Sequence, residues 1–239
     1  MNFAPFSFLN SSDTSSYIPL PETSGLTINI DANSPTSYPG SGATWYDLTA
    51  NGYNATLVNG PTYTSGTPSS INFDGVNDYA TFTTATIGSN TSNYTWGGWV
   101  KPTTGATEQI YITRGGGNFS LMLNKKTTNI LRAAVVAAGT EVAADSPTTF
   151  THNTWYHIYG VWVNATSVKL YINGSLVKTT TTTRSGLRNS TDGWGLGRYS
   201  TSPTLYWNGS MGNANVYTRA LSDAEILNNY NTQKSMYGF

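Results

Sequence analysis

Residues 155–178 read WYHIYGVWVNATSVKLYINGSLVK. In the first nine, Trp155, His157, Tyr159, Val161 and Val163 alternate with Ile158 and Trp162. Side chains on a strand point to opposite faces with a period of two, so these two sets lie on opposite sides. Both sets are apolar, which predicts a strand buried between layers rather than at an edge. A turn at 164–167 leads into VKLYI, then Asn173-Gly174, then SLVKT. Asn-Gly between two alternating runs predicts a tight hairpin, because both residues tolerate the positive φ of a type I′ turn.

The same grammar extends outward to Gly25. Short runs rich in Val, Ile, Thr, Tyr and Trp recur between Gly, Asn and Asp turns, at a spacing of about 8–12 residues. That pattern predicts an all-β, two-sheet antiparallel sandwich. A second hairpin is expected in INFDGVNDYATF (residues 71–82), where Phe73 and Tyr79 flank Asp74-Gly75. One short C-terminal helix is expected. Ser222 and Glu225 form a capping box, and Leu221, Ala224, Leu227 and Tyr230 follow at helical spacing for about three turns.

Residues 1–24 read differently and are assigned to an extended N-terminal arm, with the β domain running over 25–239. Phe3, Phe6, Phe8 and Leu9 come first, then the polar spacer SSDTSS at 11–16, then Pro19 and Pro21 in an extended stretch. Four large apolar side chains in nine residues either pack back on their own domain or dock into another subunit. The opening MNFAPFSFLN has no basic residue and is broken by Pro5, so it does not read as a secretory signal. The expectation is a protein that works where it is made or leaves as part of an assembly.

Composition removes several function classes. Twelve Lys plus Arg balance twelve Asp plus Glu, and charged residues make up only 10% of 239. A nucleic-acid binder needs a basic surface, so none is expected as partner. Ser, Thr, Asn and Gly together supply roughly 45% of the chain, far above ordinary usage. Cysteine is absent, which excludes disulfides, thiolate metal sites and a Cys nucleophile. With only His152 and His157, a multi-histidine metal site has too few ligands. No apolar run approaches the roughly 20 residues of a membrane helix.

Seven stretches, taken in order, carry a family resemblance. They are GLTINIDA (25–32), WYDLTANGYNATLVNG (45–60), INFDGVNDY (71–79), TWGGWVKP (95–102), the 155–177 stretch, GLGRYS (195–200) and WNGSMGNANVYTRALSDAEILNNY (207–230). Together they resemble the LamG-like group of concanavalin A-like jelly rolls. The resemblance implies a jelly-roll sandwich over about nine-tenths of the chain. Within the group, SYPGSG (37–42), the ending NNYNTQKSMYGF and the aromatic arm are similar to domains of bacteriophage virion proteins.

Glycosidases of this superfamily carry Glu-x-Asp-x-x-Glu, which sets an acid and a nucleophile about 5–5.5 Å apart. Glu22, Glu108, Glu141 and Glu225 do not stand in that spacing, and no Gly-x-Ser-x-Gly elbow presents a serine to His152 or His157. No catalytic residues are assigned, and no cofactor is expected. The resemblance implies a possible Ca²⁺ site at the rim, for which Asp31, Asp74, Asn77 and Asp78 are the candidate oxygen ligands. Local turn bonding is the preferred reading for Asp74 and Asn77, and no metal ligand is assigned. Arg114-Gly115-Gly116-Gly117 opens into a strand rather than a helix, which argues against a phosphate loop. Tyr199, Tyr206 and Trp207 are candidate rings for stacking on a sugar.

The resulting expectation is a non-enzymatic structural virion protein, such as a capsid decoration, fibre or spike subunit. Its partners would be other virion proteins and copies of itself, in a dimer or trimer, held through Phe3, Phe6, Phe8 and Leu9. A lectin or adhesin module recognising host-surface glycan is the alternative.

Overall fold

The computed structural model describes residues 17–82, 87–103, 107–115, 119–189, 193–199 and 204–239. Phe3, Phe6, Phe8 and Leu9 lie outside the described residues. In chain order the strands are β1 (Leu26–Asp31), β2 (Thr44–Trp45), β3 (Ala55–Val58), β4 (Thr62–Thr64), β5 (Ser70–Asp74) and β6 (Tyr79–Phe82). Then come β7 (Tyr94–Pro102), β8 (Gln109–Arg114), β9 (Leu121–Lys125), β10 (Leu131–Ala137), β11 (Thr140–Asp145) and β12 (Tyr156–Val163). The series closes with β13 (Ser167–Ile172), β14 (Ser175–Thr181), β15 (Trp194–Leu196), β16 (Asn208–Met211), β17 (Asn213–Tyr217) and helix α1 (Asp223–Gln233). A 3₁₀ turn at Lys234–Tyr237 follows the helix.

Two antiparallel sheets face each other, as the strand periodicity predicts. One has the order β14-β13-β12-β7-β16-β5-β4, with β17 pairing both β7 and β1. The other has the order β11-β10-β9-β8-β15-β6-β3-β2. Between them Trp45, Trp96, Trp162, Trp194 and Trp207 are buried among Ile, Leu and Val side chains. Strand β12 lies between β7 and β13, as its two apolar faces require. Its Ile158 and Trp162 enter the core between the sheets, while Tyr159 and Val161 face outward under α1. Sheet-forming residues thus have two apolar faces because the first sheet is covered on both sides.

The Asn173-Gly174 turn joins β13 to β14 with Ile172 opposite Ser175. Both turn residues have positive φ, 50° and 76°, the left-handed values a two-residue hairpin needs. A Cβ on Gly174 would also come within 2.9 Å of Tyr230, so the turn must be small to let α1 lie over it.

Two expectations are corrected. The 71–82 stretch is not a hairpin: β5 pairs with β4 and β16 in one sheet, whereas β6 pairs with β3 and β15 in the other. The Asp74-Gly75 turn is a corner where the chain changes sheets. Asp74 Oδ1 accepts the amides of Val76, Asn77 and Asp78, at 2.8, 3.2 and 3.3 Å, and fixes that corner locally. The second correction concerns α1. Its capping box is present as predicted, with Ser222 and Glu225 bonding reciprocally. The buried stripe, however, is Ile226, Asn229 and Gln233, and Leu227 remains 43% exposed. Amides can serve as the inward face here because each finds a partner beneath the helix.

Candidate functional site

The outer face of the first sheet carries an unusual buried layer of amides and rings. On β7, Trp99 points away from the inter-sheet core, and its ring stacks on Tyr237 at 4.0 Å with planes only 6° apart. Trp99 Nε1 donates to Gln233 Oε1 at 3.1 Å, so α1 is tied to the sheet by an indole–amide bond. Asn213 on β17 donates to the same oxygen at 3.3 Å and to Asp31 Oδ2 at 3.3 Å. Asp31 Oδ1 accepts both the backbone and side-chain N–H of Asn33, each at 2.8 Å. Asn33 also donates to the Tyr237 hydroxyl at 3.1 Å. A parallel chain runs from Tyr159 through Asn215 to Asn29, at 2.6 and 2.8 Å.

Two ionisable groups sit in this layer. Burial pushes the Asp31 carboxyl up to about 6, against the opposing pull of the Asn33 and Asn213 donors. Burial pushes the His157 imidazole down to about 3. The ring of His157 packs against Trp99 and Tyr159 at 5.1 and 4.6 Å, and neither ring nitrogen has a hydrogen-bond partner. Such a histidine is neutral packing. His152, the other candidate base, packs edge-on to Phe150 at 5.2 Å.

Residues 17–24 form a strap along this face. Arg219 Nε donates to Ser24 O at 2.7 Å, and the Tyr217 hydroxyl donates to Glu22 O at 2.9 Å. Asn228 donates to the Glu22 carboxylate at 3.0 Å, and Gln233 Nε2 donates to Ile18 O at 2.9 Å. Going backwards from Ser24 to Ile18, the strap therefore travels along α1 toward its C-terminal end. Its other edge leaves a cleft of about 400 Å³ against β1 and residues 48–50. Tyr17, Pro19, Leu20, Leu26, Leu48 and Ala50 line it together with the polar Thr23, Asn29 and Thr49, and none of these lining residues among the described ones is charged.

The comparison with family models is decisive for the fold. A model of the concanavalin A-like lectin/glucanases superfamily matches residues 74–227, well over half of the chain. The chain belongs to this superfamily. No curated protein matches its sequence. Among solved structures it is similar to the binding domain of Paraclostridial Mosquitocidal Protein 1, with a TM-score of 0.68 at 17% identity over 87% of this chain. It is also similar to the botulinum neurotoxin type G receptor binding domain, with a TM-score of 0.67 at 14% identity over 88%. Trypanosoma rangeli sialidase in complex with the inhibitor DANA aligns at a TM-score of 0.62 and 16% identity over 90%. This chain spans about half of each toxin chain (52%) and about a third of the sialidase chain (34%). At these identities the likeness concerns the fold.

In this superfamily member every Asp and Glu among the described residues is already engaged. Asp47 accepts the amides of Asn29, Thr49 and Tyr53 and the Thr49 hydroxyl. Asp74 and Asp78 bond within the corner, and Glu108 pairs with Lys126 and accepts from Asn124. Arg132 bridges Glu141 and Asp145, Asp223 accepts from the Tyr171 hydroxyl, and Arg219 pairs with Glu225. Among the residues weighed as calcium ligands, Asp31 is spent on Asn33 and Asn213, and Asp74 on three amides. No group of three or more His, Asp or Glu suited to a metal occurs among the described residues.

The candidate sugar rings fare unevenly. Trp207 is fully buried and packs against Tyr111 at 5.9 Å, so it cannot stack on a ligand. Its indole lies in the core between the sheets. Tyr199 is half-buried against Phe119 at 6.2 Å, over the outer face of the second sheet, and Tyr206 is half-buried nearby in sequence. Tyr46, 44% exposed, is an aromatic ring that sequence reasoning passed over. The strap and the cleft were also missed. Only Pro19 and Pro21 signalled an extended segment there, and nothing in the sequence showed what it lies against.

Proposed function

We propose that this chain is a non-catalytic binding module that works as a structural subunit of a bacteriophage virion, a capsid decoration, fibre or spike component. The observation that carries the non-catalytic part is the engagement of every described carboxylate in turns, caps and ion pairs. A hydrolase of this fold needs two free acids at a set separation, and a carboxylate fixed by three backbone amides is a poor proton carrier. The virion part draws on the likeness of SYPGSG, the closing NNYNTQKSMYGF and the apolar arm to virion domains. It also draws on a surface rich in hydroxyls and amides with balanced charge, which lets copies lie side by side without repulsion. The chain would then act by protein–protein contact, with Phe3, Phe6, Phe8 and Leu9 as arm contacts in a homo-oligomer, assembled in the host cytoplasm.

Glycan recognition is the second reading, favoured by two observations. Fold neighbours include a botulinum neurotoxin receptor binding domain, and the exposed Tyr46 ring offers a face to a sugar. A particle-binding assay run beside a glycan array separates the two. Retention on particles with a silent array is the expected outcome. Glycan binding with no affinity for particles would overturn the virion reading and establish the second.

A further inference from the structure

We propose that Arg114 binds a small inorganic monovalent anion, chloride being the simplest, inside one end of the sandwich. The inference is independent of the assembly reading above. Arg114 closes β8 and is only 2% exposed. Its Nε and Nη1 have no hydrogen-bond partner, and Nη2 donates to Asn90 Oδ1 at a long 3.4 Å. None of the ion pairs among the described residues includes it. A charge taken out of water is costly unless it is paired. A buried histidine avoids that cost by staying neutral, as His157 does, but a guanidinium keeps its charge. The folded chain therefore calls for a negative charge at Arg114. The described carboxylates are engaged elsewhere, in turns, caps and the ion pairs of other residues.

The surroundings of Arg114 supply donors and ring faces. Trp194 on β15 lies directly opposite Arg114, so the two side chains share a face, and the Trp194 Nε1 has no partner either. From the facing sheet, Tyr94 on β7 sets its ring centroid 5.6 Å from the Arg114 guanidinium carbon. Tyr94 lies opposite Trp162 on β12, whose Nε1 is also without a partner. The indoles of Trp45, Trp96 and Trp207 share that condition, so an indole alone does not define a site; the guanidinium does. The cation–π contact with Tyr94 offsets part of the cost of burying the cation and leaves Nε and Nη1 unmet. The Tyr94 hydroxyl points to the carbonyls of Ile87 and Ser89, at 2.9 and 2.8 Å. The Leu187 amide donates to Asn90 O at 2.7 Å and the Gly115 amide to Gly193 O at 3.0 Å, which ties the chain across this end. Enclosure on that scale keeps out the carboxylate of a sugar or a protein partner. A one-atom anion is the counter-charge that fits.

An ion that binds only the folded chain stabilises it in proportion to the logarithm of its concentration once sites begin to fill, whereas general salt effects do not depend on one residue. The test is urea unfolding of the full chain at constant ionic strength, with sodium chloride replacing sodium gluconate, whose bulky anion cannot enter. Between chloride-free buffer and about 0.1 M chloride, the folded-to-unfolded ratio is expected to rise at least about tenfold, and bromide is expected to do the same. Arg114→Met keeps an unbranched side chain without the charge and is expected to show no response to either halide. A native chain indifferent to chloride overturns the proposal, and so does an Arg114→Met chain that responds like the native one. Crystals of the native chain soaked in bromide keep the test open if Arg114→Met does not fold. An anomalous bromide peak within hydrogen-bond reach of the Arg114 guanidinium is expected. No peak there, or peaks at the surface only, would overturn the site.

Discussion

Burial acts in opposite senses on the two ionisable residues under α1. Asp31 is raised to about 6, so between about pH 4 and 6 the folded chain holds a proton that the unfolded chain has released. Its contribution is therefore greatest below about 4 and is lost as pH rises through 6. His157 is lowered to about 3, so below about 6.5 the unfolded chain gains a proton that the folded chain refuses. Its contribution is present above 6.5 and is lost as pH falls. Within the shared window, each group shifts stability by about 1.4 kcal/mol per pH unit, with opposite sign. The two slopes cancel in the native chain and reappear when one partner is removed. His157→Phe, which keeps a ring against Trp99, should gain stability from pH 6 to 4, and Asp31→Asn should lose it. Urea midpoints across that range test this, and variant profiles parallel to the native one would sink it. Sequence inspection found both residues but not this coupling. Asp31 was legible only as an oxygen ligand near a turn, because its long-range partner Asn213 lies 182 residues away.

At the scale of elements, α1 is held by amides as well as by apolar packing. Gln233 alone accepts from Trp99 and Asn213 and donates to the strap at Ile18. Removing it strands a buried indole N–H, a cost of about 1–3 kcal/mol. Ser222→Ala removes the capping box at the other end, a cost of about 1 kcal/mol. The two should differ in kind. Gln233→Ala is expected to speed hydrogen exchange across residues 18–24 as well as lower stability, while Ser222→Ala leaves the strap protected. Equal protection of the strap in both variants would show that Gln233 does not hold it. The helix was legible because a capping box is local chemistry, and so was the Asn173-Gly174 hairpin. The inward stripe was not, since Asn229 and Gln233 look polar until Tyr217 and Trp99 are seen beneath them. Asp74-Gly75 misled for a related reason: it specifies a turn, and a turn does not say whether the next strand stays in the same sheet.

Across the whole molecule, contact with partners rests on neutral groups. Twelve positive and twelve negative charges leave no net charge, and every described carboxylate has a donor or cationic partner. The arm proposed as the contact carries no charged side chain between Phe3 and Leu9. Association driven by apolar burial does not depend on the Debye length, whereas charge-steered association weakens as salt shortens it from roughly 30 Å at 0.01 M to about 3 Å at 1 M. Excluded salts such as sulfate strengthen burial further. A homo-oligomer held through that arm should therefore change its dissociation constant by no more than about threefold between low and high sodium chloride, and should tighten in sulfate. Sedimentation equilibrium across a salt series reads this directly. A steep loss of affinity with sodium chloride would mean that ion pairs carry the contact. The surface to examine would then be the Arg132–Glu141–Asp145 cluster on the second sheet, not the apolar arm.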